Sequence, residues 1–249
     1  MIIDNGVEIL KIEAEAFGSK TTLYPTLIKD DESAVLVDVG MPGGWEQIQA
    51  VMTENGVEPK KLKAIILTHQ DLDHIGSIEE IKQELGNSII VYAHELDKPY
   101  IEGSLPLIKT TPSVMAPMIE LLPEKMRQEA LDLCENPPKV KVDQTVVDGQ
   151  ELPYCGGIRI IHTPGHTEGH ISLYLQQSKT LIAADAMLCI DGKLHGPVPQ
   201  TSLDLPKAQR SLVKFLDYEI ETVICYHGGL CEWGAKDQIE QLVKEIREL

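Results

Sequence analysis

No stretch of the 249-residue sequence approaches the roughly 18 consecutive apolar residues that a membrane-spanning helix needs. Basic residues are scarce: 22 lysines and arginines stand against 39 acids, a net charge of −17. Such a surface repels phosphate backbones and anionic membranes, so neither nucleic acid nor membrane is an expected partner. Beyond that, the acidity signifies solubility. The five cysteines, Cys134, Cys155, Cys189, Cys225 and Cys231, include no CxxC pair. An odd, widely spread set makes a poor disulfide framework, and buried free thiols in a reducing compartment are expected instead. The opening run MIIDNGVEILKIEAEAFG carries acids where a secretory signal has a basic start and a long apolar core, so a cytoplasmic location is expected. No serine or cysteine nucleophile constellation is in sight.

What is present is an ordinary globular composition, 43% hydrophobic and 24% charged, which excludes a largely disordered chain. Residues 7–14 and 21–29 alternate loosely as strands, and 34–38 (AVLVD) is a short apolar run ending on an acid. Pro42 opens a helical stretch with Trp45, Ile48 and Met52 at three- and four-residue steps. Residues 63–67 (KAIIL) read as a buried strand, 75–85 as a helix stopped by Gly86, and 88–93 (SIIVYA) as another strand. Residues 95–139 differ, with repeated prolines from Pro99 to Pro138 and helical spacing through Met118, Leu121, Leu122, Met126 and Ala130. They read as a helical insertion, either a lid or a plain connector. Strands return at 141–147, 157–162, 171–175, 180–184 and 222–225, with helices at 205–216 and 237–248. The whole reads as one domain over 1–249 that includes the insertion.

Four polar elements follow apolar strands. The first, Thr68-His69-Gln70-Asp71-Leu72-Asp73-His74, holds two imidazoles and two carboxylates within six residues. Residues two apart in an extended segment point the same way, so His69 and Asp71 can grip one ion while Asp73 and His74 turn to another. Imidazole and carboxylate suit Zn²⁺, and also Fe or Mn. The others are the Pro-Gly turn before His166, Asp185 closing TLIAA, and His227 in YHGG. Each alone is weak evidence; together, in this order, they point to a metal site. A weak internal symmetry accompanies them: a strand ending at Asp38 and one leading to His69 are echoed by Asp185 and His227. Asp38 is expected to brace the metal-binding loop, and His162 and His170 to orient the His166 turn. His94 reads as structural, and His195 as part of a loop near the cleft.

On these residues the sequence resembles the metallo-β-lactamase-fold hydrolase superfamily, from about Leu23 to His227. The family pattern is HxHxDH, then a TPGHTxGH-like histidine, an aspartate after a strand and a last histidine after another. The resemblance implies an α/β, four-layer αββα sandwich with a dinuclear metal site at one edge. One ion would take His69, Asp71 and His166; the other would take Asp73, His74 and His227; Asp185 would bridge them. The second histidine of the pattern is Asp71 here, giving HxDxDH, and an oxygen donor tilts the preference from Zn somewhat toward Fe or Mn. The implied chemistry is hydrolysis of a small-molecule ester, lactone or thioester by a bridging hydroxide, with Asp73 as proton shuttle. A lactonase or a glyoxalase II-like thioesterase is the specific alternative, the latter weakened by the sparse basic residues of 228–249. A diiron redox protein or a non-catalytic metal-binding relic is the alternative from another class. Relatives of this fold often dimerise, so the resemblance allows a homodimer, although the sequence itself does not specify the oligomeric state.

Overall fold

The computed structural model describes residues 2–4 and 6–248. Among these, strands Ile2–Asp4, Val7–Ile9, Thr26–Lys29, Ala34–Val37, Leu62–Ile66, Ile90–His94 and Gln144–Val146 lie side by side in that order. The last four run parallel to one another, and the pairings before them are antiparallel. A second sheet orders Glu151–Leu152, Ile158–His162, Ile171–Leu175, Thr180–Ala184, Thr222–Cys225 and Gly229–Cys231, with one parallel pairing, between Thr180–Ala184 and Thr222–Cys225.

The strand period of two decides the layers. Val35, Val37, Ala64 and Ile66 of the first sheet pack with Ile158, Ile160, Leu173, Ile182 and Ile224 of the second, forming the central core. The residues between them turn outward: Leu36 and Ile65 meet Trp45, Ile48, Met52 and Ile81 of helices Trp45–Glu54 and Ile78–Leu85. On the far side, Leu181, Ala183, Val223 and Cys225 meet Phe215 and the residues Ile239 and Val243 of helix Ala235–Arg247. Both faces of each sheet are covered, which explains why their strands read as near-continuous apolar runs. The result is the αββα sandwich. No helix among the described residues is long and apolar enough to cross a membrane.

The expected strand pairs 34–38 with 63–67 and 180–184 with 222–225 are the two parallel pairs that carry the internal symmetry. Each half also turns through left-handed backbone where its first strand ends, at Asp38 (φ 60°) and Ala184 (φ 48°). Local differences from the sequence reading are few. Residues 12–23 form a hairpin, Ile12–Ala16 with Ser19–Leu23, separate from the main sheets. The helix expected over 75–85 is broken into Leu72–Ile75 and Ile78–Leu85, and Ser77 at the break donates its hydroxyl to the Met41 carbonyl (2.7 Å). Between residues 95 and 139 lie helices Lys98–Ile101, Pro112–Leu121 and Glu124–Glu135. Ile119, Leu122, Ala130 and Cys134 make a small core there, against which Phe17 at the hairpin tip packs.

Candidate metal centre

The loop after strand Leu62–Ile66 is held by one carboxylate. Asp38 accepts from the Thr68 amide (2.8 Å) and hydroxyl (2.7 Å) and from His74 Nδ1 (2.8 Å). With its Nδ1 hydrogen committed to Asp38, His74 turns Nε2 toward the site. Thr68 Oγ1 also lies 3.0 Å from His69 Nδ1, which sets that ring in the same sense. The Pro-Gly turn is equally constrained: Gly165 has φ 132°, and a Cβ there would lie 2.1 Å from the Ala208 amide nitrogen. Only glycine brings His166 so close to helix Leu205–Ser211. His170 Nε2 accepts from the Asp185 amide (3.1 Å), so its Nδ1 carries the hydrogen that the Thr163 hydroxyl (2.9 Å) receives.

These supports converge seven side chains. His69 Nε2 and His166 Nε2 lie 3.3 and 3.0 Å from Asp71 Oδ2. His227 Nε2 lies 3.2 Å from Asp73 Oδ2, and His74 Nε2 lies 3.8 Å from the same oxygen. Asp185 reaches both sets, with Oδ1 3.4 Å from His74 Nε2 and Oδ2 3.3 and 3.5 Å from His166 and His227. His69, Asp71 and His166 form one group of donor atoms close enough for a single ion; Asp73, His74 and His227 form another. His69 Nε2, His74 Nε2 and Asp185 Oδ1 are buried without a hydrogen-bond partner. Orphaned buried polar atoms are costly, and a shared cation is the economical way to satisfy them.

Electrostatics follow from the crowding. Burial alone would raise the Asp71 carboxyl, but His69, His166 and Lys109 hold it well below its ordinary range. Asp185 is likewise held well below, against its burial, by His227, His74 and His166. Burial would lower His74, but Asp38, Asp185 and Asp73 drive it well above; against the same burial, Asp185 and Asp73 raise His227 to about 10. Burial pushes His69 down, and His170 well down, with their imidazole neighbours adding to the effect.

Three supporting residues escaped the sequence reading. Asp97 accepts from the Gln70 amide (3.0 Å), the Thr167 hydroxyl (2.7 Å) and the Gly169 amide (2.9 Å), tying the two histidine loops together. Tyr226 packs its ring on His74 (centroids 3.9 Å apart), donates its hydroxyl hydrogen to the Asp73 carbonyl (2.5 Å) and accepts from the Gly40 amide (3.2 Å). Lys109, from the 95–139 segment, pairs with Asp71 (2.5 Å) and reaches His166 Nε2 (2.8 Å). Position was the available signal: Asp97 follows a strand end, and Tyr226 adjoins His227. Lys109 had none. Of the remaining histidines, His162 bonds the Glu168 carbonyl (2.9 Å) and stacks on His94 (4.0 Å). His195 is exposed on the small strand Lys193–His195, away from the donor groups.

A cavity of about 370 Å³ opens onto the site, lined by Asp71, Asp73, His166, Asp185 and His227 on one side and by Phe17, Met41, Leu72, Met115 and Met118 on the other. A neighbouring cavity of about 240 Å³ shares Asp185, Thr201 and His227 and adds Met187, Leu188 and Val198. The segment 95–139 thus supplies part of the wall.

Residues 24–227 match the family described as the metallo-beta-lactamase superfamily. A probable metallo-hydrolase, YflN, of Bacillus subtilis (strain 168) is 30% identical over 213 residues, 81% of this chain and 78% of that protein. A hydroxyacylglutathione hydrolase of Brucella ovis is 28% identical over 193 residues, which cover 77% of this chain but only 58% of that enzyme. Among solved structures, a metallo-beta-lactamase family protein from Thermus thermophilus superposes with a TM-score of 0.72 at 21% identity, covering 99% of this chain and 81% of that one. A metallo-beta-lactamase from Pontibacter korlensis gives 0.69 at 17% identity, with 100% and 98% covered. At such identities the structural likeness speaks for the fold alone.

Proposed function

The chain belongs to the metallo-beta-lactamase superfamily and is a metallo-hydrolase of it, and from that premise we propose a two-ion hydrolase of small-molecule esters, lactones or thioesters. His69, Asp71 and His166 would hold one ion and Asp73, His74 and His227 the other, with Asp185 within reach of both sets. The observation that carries this reading is that the orphaned atoms His69 Nε2, His74 Nε2 and Asp185 Oδ1 belong to a third close donor group, which shares His69 with the first set and His74 with the second. Bound ions supply Lewis acidity and make water easy to deprotonate at neutral pH. Zn is the first candidate, with Fe or Mn favoured relative to an all-imidazole site by the oxygen donor of Asp71.

The chain's own residues do the rest. Asp73 stands at the cavity wall, and against its burial His74 and His227 keep its carboxyl below the ordinary range, hence ionised and able to accept a proton. Water adds to the acyl carbon, the bond to the leaving oxygen or sulfur breaks, and Asp73 passes the proton to that leaving atom. His170 and Tyr226 keep Asp185 and Asp73 in place through their backbones.

Elemental analysis of protein purified without added metal or chelator tests the proposal, together with an assay against lactones, thioesters and phosphodiesters. About two ions per chain and turnover of an acyl substrate support it. One ion per chain would reduce it to a single-ion mechanism. Bound iron with oxygen-dependent turnover would turn it into a redox protein, and no ion after reconstitution would leave a relic of the fold.

A further inference from the structure

The wall opposite the histidines is largely apolar, interrupted by Ser19, Thr21 and Thr110, and much of it comes from two excursions outside the sheets. Phe17 arrives on the tip of the hairpin Ile12–Ala16/Ser19–Leu23, and Met115 and Met118 arrive on helix Pro112–Leu121. The two excursions pack together through Phe17 and Leu122, so the wall is a built structure. Met118 remains 46% exposed, and Val114 and Leu121 on the same helix are exposed as well. Unbranched thioether side chains adapt to irregular apolar guests and do not demand one shape.

The charged lining is equally telling. Lys109 is the sole lysine or arginine on this cavity among the described residues, and its ammonium is engaged by Asp71 and His166. Even where an ion at Asp71 releases it, that single ammonium cannot pair both carboxylates of a glutathionyl group. A glutathionyl leaving group would leave at least one carboxylate unpaired against methionine and phenylalanine, at a substantial desolvation cost.

Resting on the hydrolase reading above, we infer that the substrate carries an uncharged alkyl or acyl chain, seated between Phe17 and Met115/Met118 with its scissile carbonyl at Asp185 and His227. Specificity then arises from apolar burial: each methylene that enters the trough is worth about fourfold in kcat/KM until the arm is filled.

The test is a series of straight-chain acyl thioesters from acetyl to dodecanoyl, with S-lactoylglutathione alongside, assayed on the metal-loaded full chain. The parent is expected to show the roughly fourfold rise per methylene over the first several members and to turn over S-lactoylglutathione poorly. Met115→Ser combined with Met118→Ser should flatten the rise to below about twofold per methylene with metal content at the parent value. Met118→Ser alone, at a half-exposed position, gives the same direction with a smaller change if the double variant folds poorly. A flat chain-length profile, an unchanged slope in the variants, or faster turnover of S-lactoylglutathione would overturn the inference and leave the hydrolase reading standing. No turnover of any acyl substrate would overturn both.

Discussion

Lys109 places its ammonium 2.5 Å from Asp71 Oδ2, on the carboxylate that also faces His69 and His166. A monocation from the 95–139 segment therefore competes for the donors of one proposed ion position. A divalent ion settling there must break this ion pair. A hydrogen bond to a charged group is worth about 1.5–3 kcal/mol, so Lys109→Met should tighten the weaker of two binding steps by roughly ten- to a hundredfold. Chelator-competition titration measures this directly, and identical affinities in parent and variant would remove Lys109 from ion binding.

Asp185 touches His74, His166 and His227 at once. Asp185→Ala should strip bound metal to one ion per chain or fewer and lower kcat by roughly a hundredfold or more. Metal content and turnover measured on the same sample decide it; full occupancy with full activity would rule out the bridging role.

The titration of the site sets a pH signature. His74 and His227 are raised, the latter to about 10, so the stability they contribute to chelated protein is complete below the ordinary 6.5 and is lost as pH climbs toward 10. His69 and His170 are depressed, so their contribution is complete above 6.5 and is lost as pH falls. Chelated protein should therefore have its highest Tm near pH 6.5 and lose stability on both sides. Ion binding displaces protons from His74 and His227, so the Tm gain on loading should grow from pH 6.5 to 9. Calorimetric scans with and without chelator check both; a gain that shrinks with pH would contradict the assignment.

Asp97→Ala would leave the Gln70 amide, the Thr167 hydroxyl and the Gly169 amide without their acceptor. A loss of about 3 kcal/mol in unfolding free energy is expected, with roughly ten- to a hundredfold weaker metal binding. Denaturant unfolding and metal titration should move together, and a stability loss with unchanged metal affinity would make Asp97 purely structural.

Tyr226→Phe keeps the ring against His74 and removes only the hydroxyl between the Asp73 carbonyl and the Gly40 amide. The expected loss is about 1–2 kcal/mol. A lower kcat at unchanged metal content would indicate that Asp73 is positioned through its backbone; unchanged kcat would exclude that.

Much of this protein was legible locally. The apolar runs at 34–38, 63–67, 180–184 and 222–225 became strands at or within a residue of those bounds, because double-sided burial leaves an unbroken apolar signature. His69, Asp71, Asp73, His74, His166, Asp185 and His227 lie together, on segments that follow strand ends of the two sheets. The bracing role of Asp38 was equally readable from its strand-end position.

The sequence by itself thus determined the strands and the order of the polar residues that follow them, all of which depend on near neighbours and on alternation. Tertiary structure alone decided that Asp97 joins two loops, that Lys109 enters the Asp71 pocket and that Phe17 meets the 112–121 helix. It also turned His195 to solvent and broke the 75–85 helix at Ser77, whose hydroxyl meets the Met41 carbonyl. These contacts join residues tens of positions apart, and their geometry is set by how the excursions pack on the sandwich, which no local periodicity records.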